Sequence, residues 1–349
     1  MAPENGQPVT DMTDRTVTIK VPAKTVFILT PILWHYLSVT LSDEAIVKLP
    51  PYMLGEFRIS VLGKIFPGLD DKSLAFTDFT GPSPVSVEEL LWSDPDAALI
   101  WDYMSRGPEL VNLKSLLKIS ADGGDKTKLF RLLGELTDRK DRVDYIWQRF
   151  NREYDEVLSD LGSCGVRRTV AVIGTDGFTL WGPPSQRYFT SNLENVCGEN
   201  VAVKFASQNG TLNIENLLEL DPEQLWLNPY VLPQTNLNVR DFYDDPRFRG
   251  LKAVKNRRIY HMPLAASRLE GPVEVPLSIL WQRLVMFPDV TSKLDLREKI
   301  YQTYFEVYGY RMNDSEIDNW LRMEENSISD RYIQLFGKSD KNGPENQRP

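Results

Sequence analysis

The chain has 349 residues, of which 42% are hydrophobic, 11% aromatic and 26% charged, the make-up of a folded globular protein rather than a disordered or fibrous one. A net charge of −9 argues against a broad nucleic-acid-binding face. The longest apolar stretch, Val26 to Leu37, contains Pro31 and His35 and falls far short of the ~20 residues that span a bilayer, so no membrane insertion is expected.

At this length two domains of roughly 150 residues each are expected. The two cysteines, Cys164 and Cys197, have no CxxC spacing, which excludes a zinc ribbon or a disulfide scaffold and leaves a single bridge between them open. The start, Met1-Ala2-Pro3-Glu4-Asn5-Gly6, has neither a basic nor an apolar leader region, so a cytosolic protein and one whose signal peptide has been removed are both open.

The first half opens on an apolar strand, Val26-Phe27-Ile28-Leu29, and the second on Thr169-Val170-Ala171-Val172-Ile173, closed by Gly174. An internal repeat joins them. Val87-Glu88-Glu89-Leu90-Leu91-Trp92-Ser93-Asp94-Pro95-Asp96-Ala97-Ala98-Leu99-Ile100 aligns without gaps on Ile214-Glu215-Asn216-Leu217-Leu218-Glu219-Leu220-Asp221-Pro222-Glu223-Gln224-Leu225-Trp226-Leu227, implying two similar domains. Each copy reads as a short helix stopped at Asp-Pro and feeding a buried strand. Near-continuous apolar strands alternating with helices indicate parallel sheets covered on both faces.

Between the halves, Val143, Ile146, Trp147, Phe150, Tyr154, Val157, Leu158 and Leu161 recur at three- and four-residue steps, with Arg142, Arg149, Arg152 and Glu153 on the other face. No Gly or Pro interrupts Glu135 to Leu161, which predicts one amphipathic helix of about 25 residues, ~37 Å long. Leu294 to Tyr308 reads as helical, and Asn313-Asp314-Ser315 offers caps for a last helix from Glu316 to Leu321. The division expected is an N-terminal α/β lobe over 1–124, a linking backbone helix over 125–163, a C-terminal α/β lobe with its helices over 164–337 and a disordered tail over 338–349.

Catalytic signatures are missing: there is no GxGxxG after a strand, no GxSxG, no HExxH and no P-loop, and Gly123-Gly124-Asp125-Lys126-Thr127 only approaches one. His35 and His261 are the two histidines, too few for a three-imidazole zinc site. No cofactor is expected. Loops at the carboxyl ends of parallel strands line ligand sites, and here they carry aromatic rings and arginines: Trp34, His35 and Tyr36; Tyr103 and Arg106; Trp181; Tyr230; Arg268. Rings give apolar area and guanidinium forks pair with carboxylates or phenolates, a combination suited to a bulky, anionic, partly aromatic ligand. Trp34 and Tyr36 equally fit the first buried residues of the helix after Val26-Leu29. Arg58, Arg187 and Arg240 read as solvated surface charges.

The run Asp245-Pro246-Arg247-Phe248-Arg249-Gly250-Leu251-Lys252-Ala253-Val254-Lys255-Asn256-Arg257-Arg258-Ile259-Tyr260 resembles the segment ending Lys-Asn-x-Arg-Val-Tyr in substrate-binding proteins of ABC importers for ferric siderophores, haem and cobalamin. Val9 to Ile19 resembles that family's N-terminal hairpin, the paired Leu-Leu-x-x-Asp-Pro segments its two lobe repeats, and Tyr304 to Leu321 its C-terminal helices. The resemblance implies an α/β fold of two Rossmann-like lobes with parallel sheets joined by a single long backbone helix, with ligand in the cleft between them. It also implies an ABC permease as partner, met by one glutamate on each lobe. Seven residues before each repeat proline stand Glu88 and Glu215, which otherwise read as helix-start carboxylates.

The lipidated N-terminal Cys of many Gram-positive relatives is absent, so the expectation is a freely diffusing monomer in a Gram-negative periplasm. The function expected is capture of an anionic iron chelate, a ferric siderophore, without chemistry. Alternatives are a receptor for haem, cobalamin, molybdate or a bare metal ion held by His35 and His261 with carboxylates. From another class, the alternative is a glycosyltransferase-like enzyme drawing on Asp102 and Asp176.

Overall fold

The computed structural model describes residues 6–49, 51–72, 92–102, 115–120, 125–161, 165–176, 179–181, 192–205, 211–228, 237–266, 269–289 and 292–338. Among them are twelve strands: β1 (Gly6–Thr10), β2 (Thr16–Lys20), β3 (Val26–Ile28), β4 (Ile46–Lys48), β5 (Ala97–Trp101), β6 (Leu116–Ile119), β7 (Arg168–Asp176), β8 (Thr179–Trp181), β9 (Gly198–Asn200), β10 (Thr211–Leu212), β11 (Gln224–Leu227) and β12 (Ile259–His261). The chain divides into two compact units. The first comprises Met1–Glu156, Ala265–Pro276 and Gln302–Met312, the second Val157–Leu264, Leu277–Tyr301 and Asn313–Pro349. The sequence reading gives all of 164–337 to the second lobe, whereas Ala265–Pro276 and Gln302–Met312 pack with the first.

The first unit holds the antiparallel hairpin β1-β2 and a four-stranded sheet in the order β4-β3-β5-β6, every pair parallel. Alternation cannot be read in β3 and β5 because both faces are covered: Val26, Phe27, Ile28 and Ala97 to Ile100 are all buried. Leu129, Phe130, Leu132, Leu133 and Leu136 of the helix Lys126–Thr137 are buried in the same unit.

The second unit repeats the plan. β9, β7, β11 and β12 pair side by side and parallel, and β8 and β10 extend the β7 edge antiparallel. Its core gathers Ala171, Ile173, Leu225, Leu227, Val239, Phe242, Phe248 and Ile259. On the other side of β11, Trp226 packs on Trp281 with ring centroids 5.1 Å apart, its indole N–H donating to Gln224 Oε1 at 3.0 Å. Corresponding strands thus follow one order in both units, and in each the chain reverses direction across the sheet between the first strand and the third, β3 and β5 or β7 and β11. The repeat lands on it: Ala97, which opens β5, aligns with Gln224, which opens β11. Asp94 and Asp221, just before the two prolines, both have φ 39°, so the stop at Asp-Pro is a left-handed turn rather than the extended backbone usual before proline.

Several boundaries differ from expectation. The predicted helix over 135–161 is the end of Lys126–Thr137 followed by Lys140–Leu161. Asp138 adopts a left-handed conformation and its N–H closes on Gly134 O, a stop that aspartate tolerates without glycine. The boundary between the units falls inside Lys140–Leu161, after Glu156. Arg149 and Glu153, expected on its solvated face, are buried, because Arg149 is neutralised by Glu153 at 2.7 Å and Glu306 at 3.1 Å and donates to Thr303 Oγ1 at 2.7 Å. Gly174 does not end its strand, since β7 continues to Asp176 by pairing with β8. The predicted last helix is Asp314–Trp320, capped reciprocally by Asn313 and Glu316, and Tyr332–Phe336 follows it. The tail beyond Lys338 lies outside the described residues.

Candidate functional site

The carboxyl ends of β3 and β5 define the candidate region of the first unit. After β3 the chain stays paired for one more residue, Leu29 N–H donating to Leu99 O at 2.9 Å, then turns into the helix Leu33–Thr40. Trp34, His35 and Tyr36 open that helix, and all three are buried. The His35 ring lies 5.4 Å from Phe130 and 5.9 Å from Trp34. Its Nε2 has no hydrogen-bond partner among the described residues. Burial first, and the nearby Lys126 ammonium second, hold the imidazole well below its ordinary pKa, so it is neutral at pH 7. Gly271 covers it: a Cβ there would stand 2.5 Å from His35 Cε1, and its φ is +77°. Asp102 follows β5 and is partly buried. Tyr103 and Arg106 lie outside the described residues.

In the second unit, Asn228 continues β11 by donating to Ile173 O at 2.8 Å and is buried. Trp181 ends β8, in register with Gly174 on one side and Thr211 on the other. Tyr230 and Arg268 lie outside the described residues. His261 ends β12, buried, with neither ring nitrogen hydrogen-bonded among the described residues; burial, helped by Arg322, lowers its pKa to about 3. Glu215 stands exposed in the first turn of the helix Ile214–Leu220, whereas Glu88 is outside the described residues. Among the described residues no three His, Cys, Asp or Glu side chains gather as a metal site would require, and no helix is long and apolar enough to cross a membrane.

One buried polar cluster escaped the sequence reading. Glu274 accepts from Tyr304 Oη at 2.5 Å and from Ala266 N–H at 2.9 Å through the same Oε1, and both side chains are fully buried. Burial and this carboxylate push the phenol well above its usual range. The signal was available in Pro272-Val273-Glu274-Val275-Pro276, one carboxylate inside an apolar run. Lys126 pairs with Glu270 at 3.4 Å nearby in sequence.

Two units built on sheets whose parallel strands follow one order are the architecture the site residues are set on. Residues 70–266 match the model of the periplasmic binding protein family, and the chain belongs to that family, whose members are solute-binding proteins of ABC transporters rather than enzymes. No curated protein sequence matches the chain. Its fold is similar to a periplasmic solute binding protein from Veillonella parvula, with TM-score 0.75 and 23% identity over 93% of this chain and 99% of that one. It is also similar to Ceue of Helicobacter pylori with Ni(II) bound, with TM-score 0.69 and 17% identity over 90% and 99%. A third similar structure is FeuA of Bacillus subtilis complexed with ferri-bacillibactin, with TM-score 0.57 and 17% identity over 80% and 97%.

Proposed function

We propose that this protein is the periplasmic receptor of an ABC importer, capturing an anionic ferric siderophore at loops on the carboxyl edges of its two sheets and passing it unaltered to the permease. The observation that carries the reading is the duplicated sheet order in a chain of the periplasmic binding protein family. Arg106 and Arg268 hold the ligand's anionic rim, and Trp34, Tyr103, Trp181 and Tyr230 its faces. Trp34 is buried together with His35 and Tyr36, and the His35 ring stands edge-on to it. Glu215 and Glu88 meet basic residues of the permease. FeuA, whose structure holds a ferric triscatecholate, supports the ligand class. Cys197 is disulfide-bonded, and Cys164 is the one other cysteine of the chain; a bridge suits an oxidising periplasm.

Titration with ferric siderophores, followed by quenching of the eight tryptophans, tests this. Saturable quenching by a ferric chelate is expected. A response confined to haem, cobalamin, molybdate or a bare metal ion would replace the ligand class, and turnover of a nucleotide sugar would replace the receptor by an enzyme.

A further inference from the structure

The helix Leu33–Thr40 starts at the carboxyl edge of β3, beside β5, where the chain reverses across the first unit's sheet. Open parallel sheets take their ligands at such a reversal. The helix is uncapped there: its N-cap residue is Ile32, which has no polar side chain, and no acidic residue stands in the first turn. Among the described residues no acceptor meets the N–H of Leu33 or of His35, and Ile32, Leu33 and His35 are all buried. Buried amides at a helix start need a partner, and the dipole favours one that carries negative charge.

Thr30 supplies a second, independent observation. Its side chain is fully buried, yet Oγ1 has no hydrogen-bond partner among the described residues. The other hydroxyls of this segment are satisfied: Ser38 donates to His35 O at 2.7 Å and Thr40 to Tyr36 O at 3.1 Å. Thr30 O accepts the Ile32 N–H at 2.6 Å, which folds residue 30 against the amide end of the helix. Pro31, between them, is partly exposed, so this end of the helix lies next to solvent. A buried hydroxyl left without a partner costs more than no hydroxyl at all, and an incoming acceptor removes that cost.

We propose that the Thr30 hydroxyl and the amides opening the helix Leu33–Thr40 form an oxyanion-binding subsite, which takes a carboxylate, phenolate or oxo oxygen of the ligand. This deepens the receptor reading and rests on it. Two sources carry such an oxygen, a ferric chelate and a free oxyanion, and the test separates them.

The full chain is titrated calorimetrically with a ferric triscatecholate and, separately, with molybdate, and urea unfolding is followed alongside. The variants are Thr30→Val, Thr30→Ser and, as a control, Ser38→Ala, which removes a buried hydroxyl that already has its acceptor. Thr30→Val should weaken binding about ten-fold and leave the urea midpoint unchanged or higher, while Thr30→Ser stays within about two-fold of wild type. Ser38→Ala should lower the urea midpoint and leave affinity unchanged.

Wild-type affinity in Thr30→Val, or an equal loss in Ser38→Ala, would overturn the subsite, as would a wild-type chain that binds neither probe. Binding of the triscatecholate that ignores Thr30→Val removes the subsite and keeps the siderophore reading. Binding of molybdate alone, weakened by Thr30→Val, keeps the subsite and removes that reading.

Discussion

Replacing Gly271 by alanine places a methyl carbon 2.5 Å from His35 Cε1 at a φ of +77°, so strain and overlap coincide. A loss of about 2 kcal/mol is expected in urea unfolding. Gly309, with φ +68° and open space around it, carries the strain alone and should lose about 1 kcal/mol; equal losses would mean that the His35 contact is inconsequential. The buried imidazoles set a pH dependence. In the unfolded chain both protonate near 6.5, but folded His35 resists until well below that and His261 until about 3. Between those values the unfolded state binds more protons, so stability is complete above pH 6.5 and falls as pH drops, by up to about 1.4 kcal/mol per unit for each group. His261→Gln should therefore lose less stability than wild type between pH 7.5 and 4.5, and parallel losses would contradict it.

Arg149 ties the helix Lys140–Leu161 to Glu306 and Thr303 of the helix Leu296–Tyr308. Because it is 1% exposed and its partners Glu153 and Thr303 would be left buried, Arg149→Leu is expected to cost about 3 kcal/mol or more. Arg152, 63% exposed although it also meets Glu306, should cost under about 1 kcal/mol on the same substitution. This pair also marks what the sequence makes legible. Apolar periodicity located the helix, and the repeat placed a buried strand after each Asp-Pro, where β5 opens at Ala97 and β11 at Gln224. Periodicity cannot tell a buried, neutralised arginine from a solvated one, because Glu306 is distant along the chain. It missed the break at Asp138 for a related reason: an aspartate in the left-handed region leaves no composition signal as a glycine would. At the site, the burial of Trp34 and Tyr36 at the start of the helix after β3 was legible from the apolar strand before them, whereas the Glu274-Tyr304 pair, thirty residues apart, needed the fold.

At the scale of the molecule, a receptor must present its cargo and its docking surface separately. Glu215 is exposed on its helix while the sheet's carboxyl-edge loops lie elsewhere in the sequence. Glu88→Arg combined with Glu215→Arg should leave ligand affinity intact while uptake through the permease collapses; loss of affinity would put these glutamates in the ligand site instead. The central claim is that the chain holds one ferric siderophore and does nothing to it. Native mass spectrometry of the chain mixed with a ferric triscatecholate, followed by release and weighing of the ligand, tests that most directly. One intact chelate per chain is predicted; a chain that stays bare, or that returns a chemically altered ligand, would contradict it.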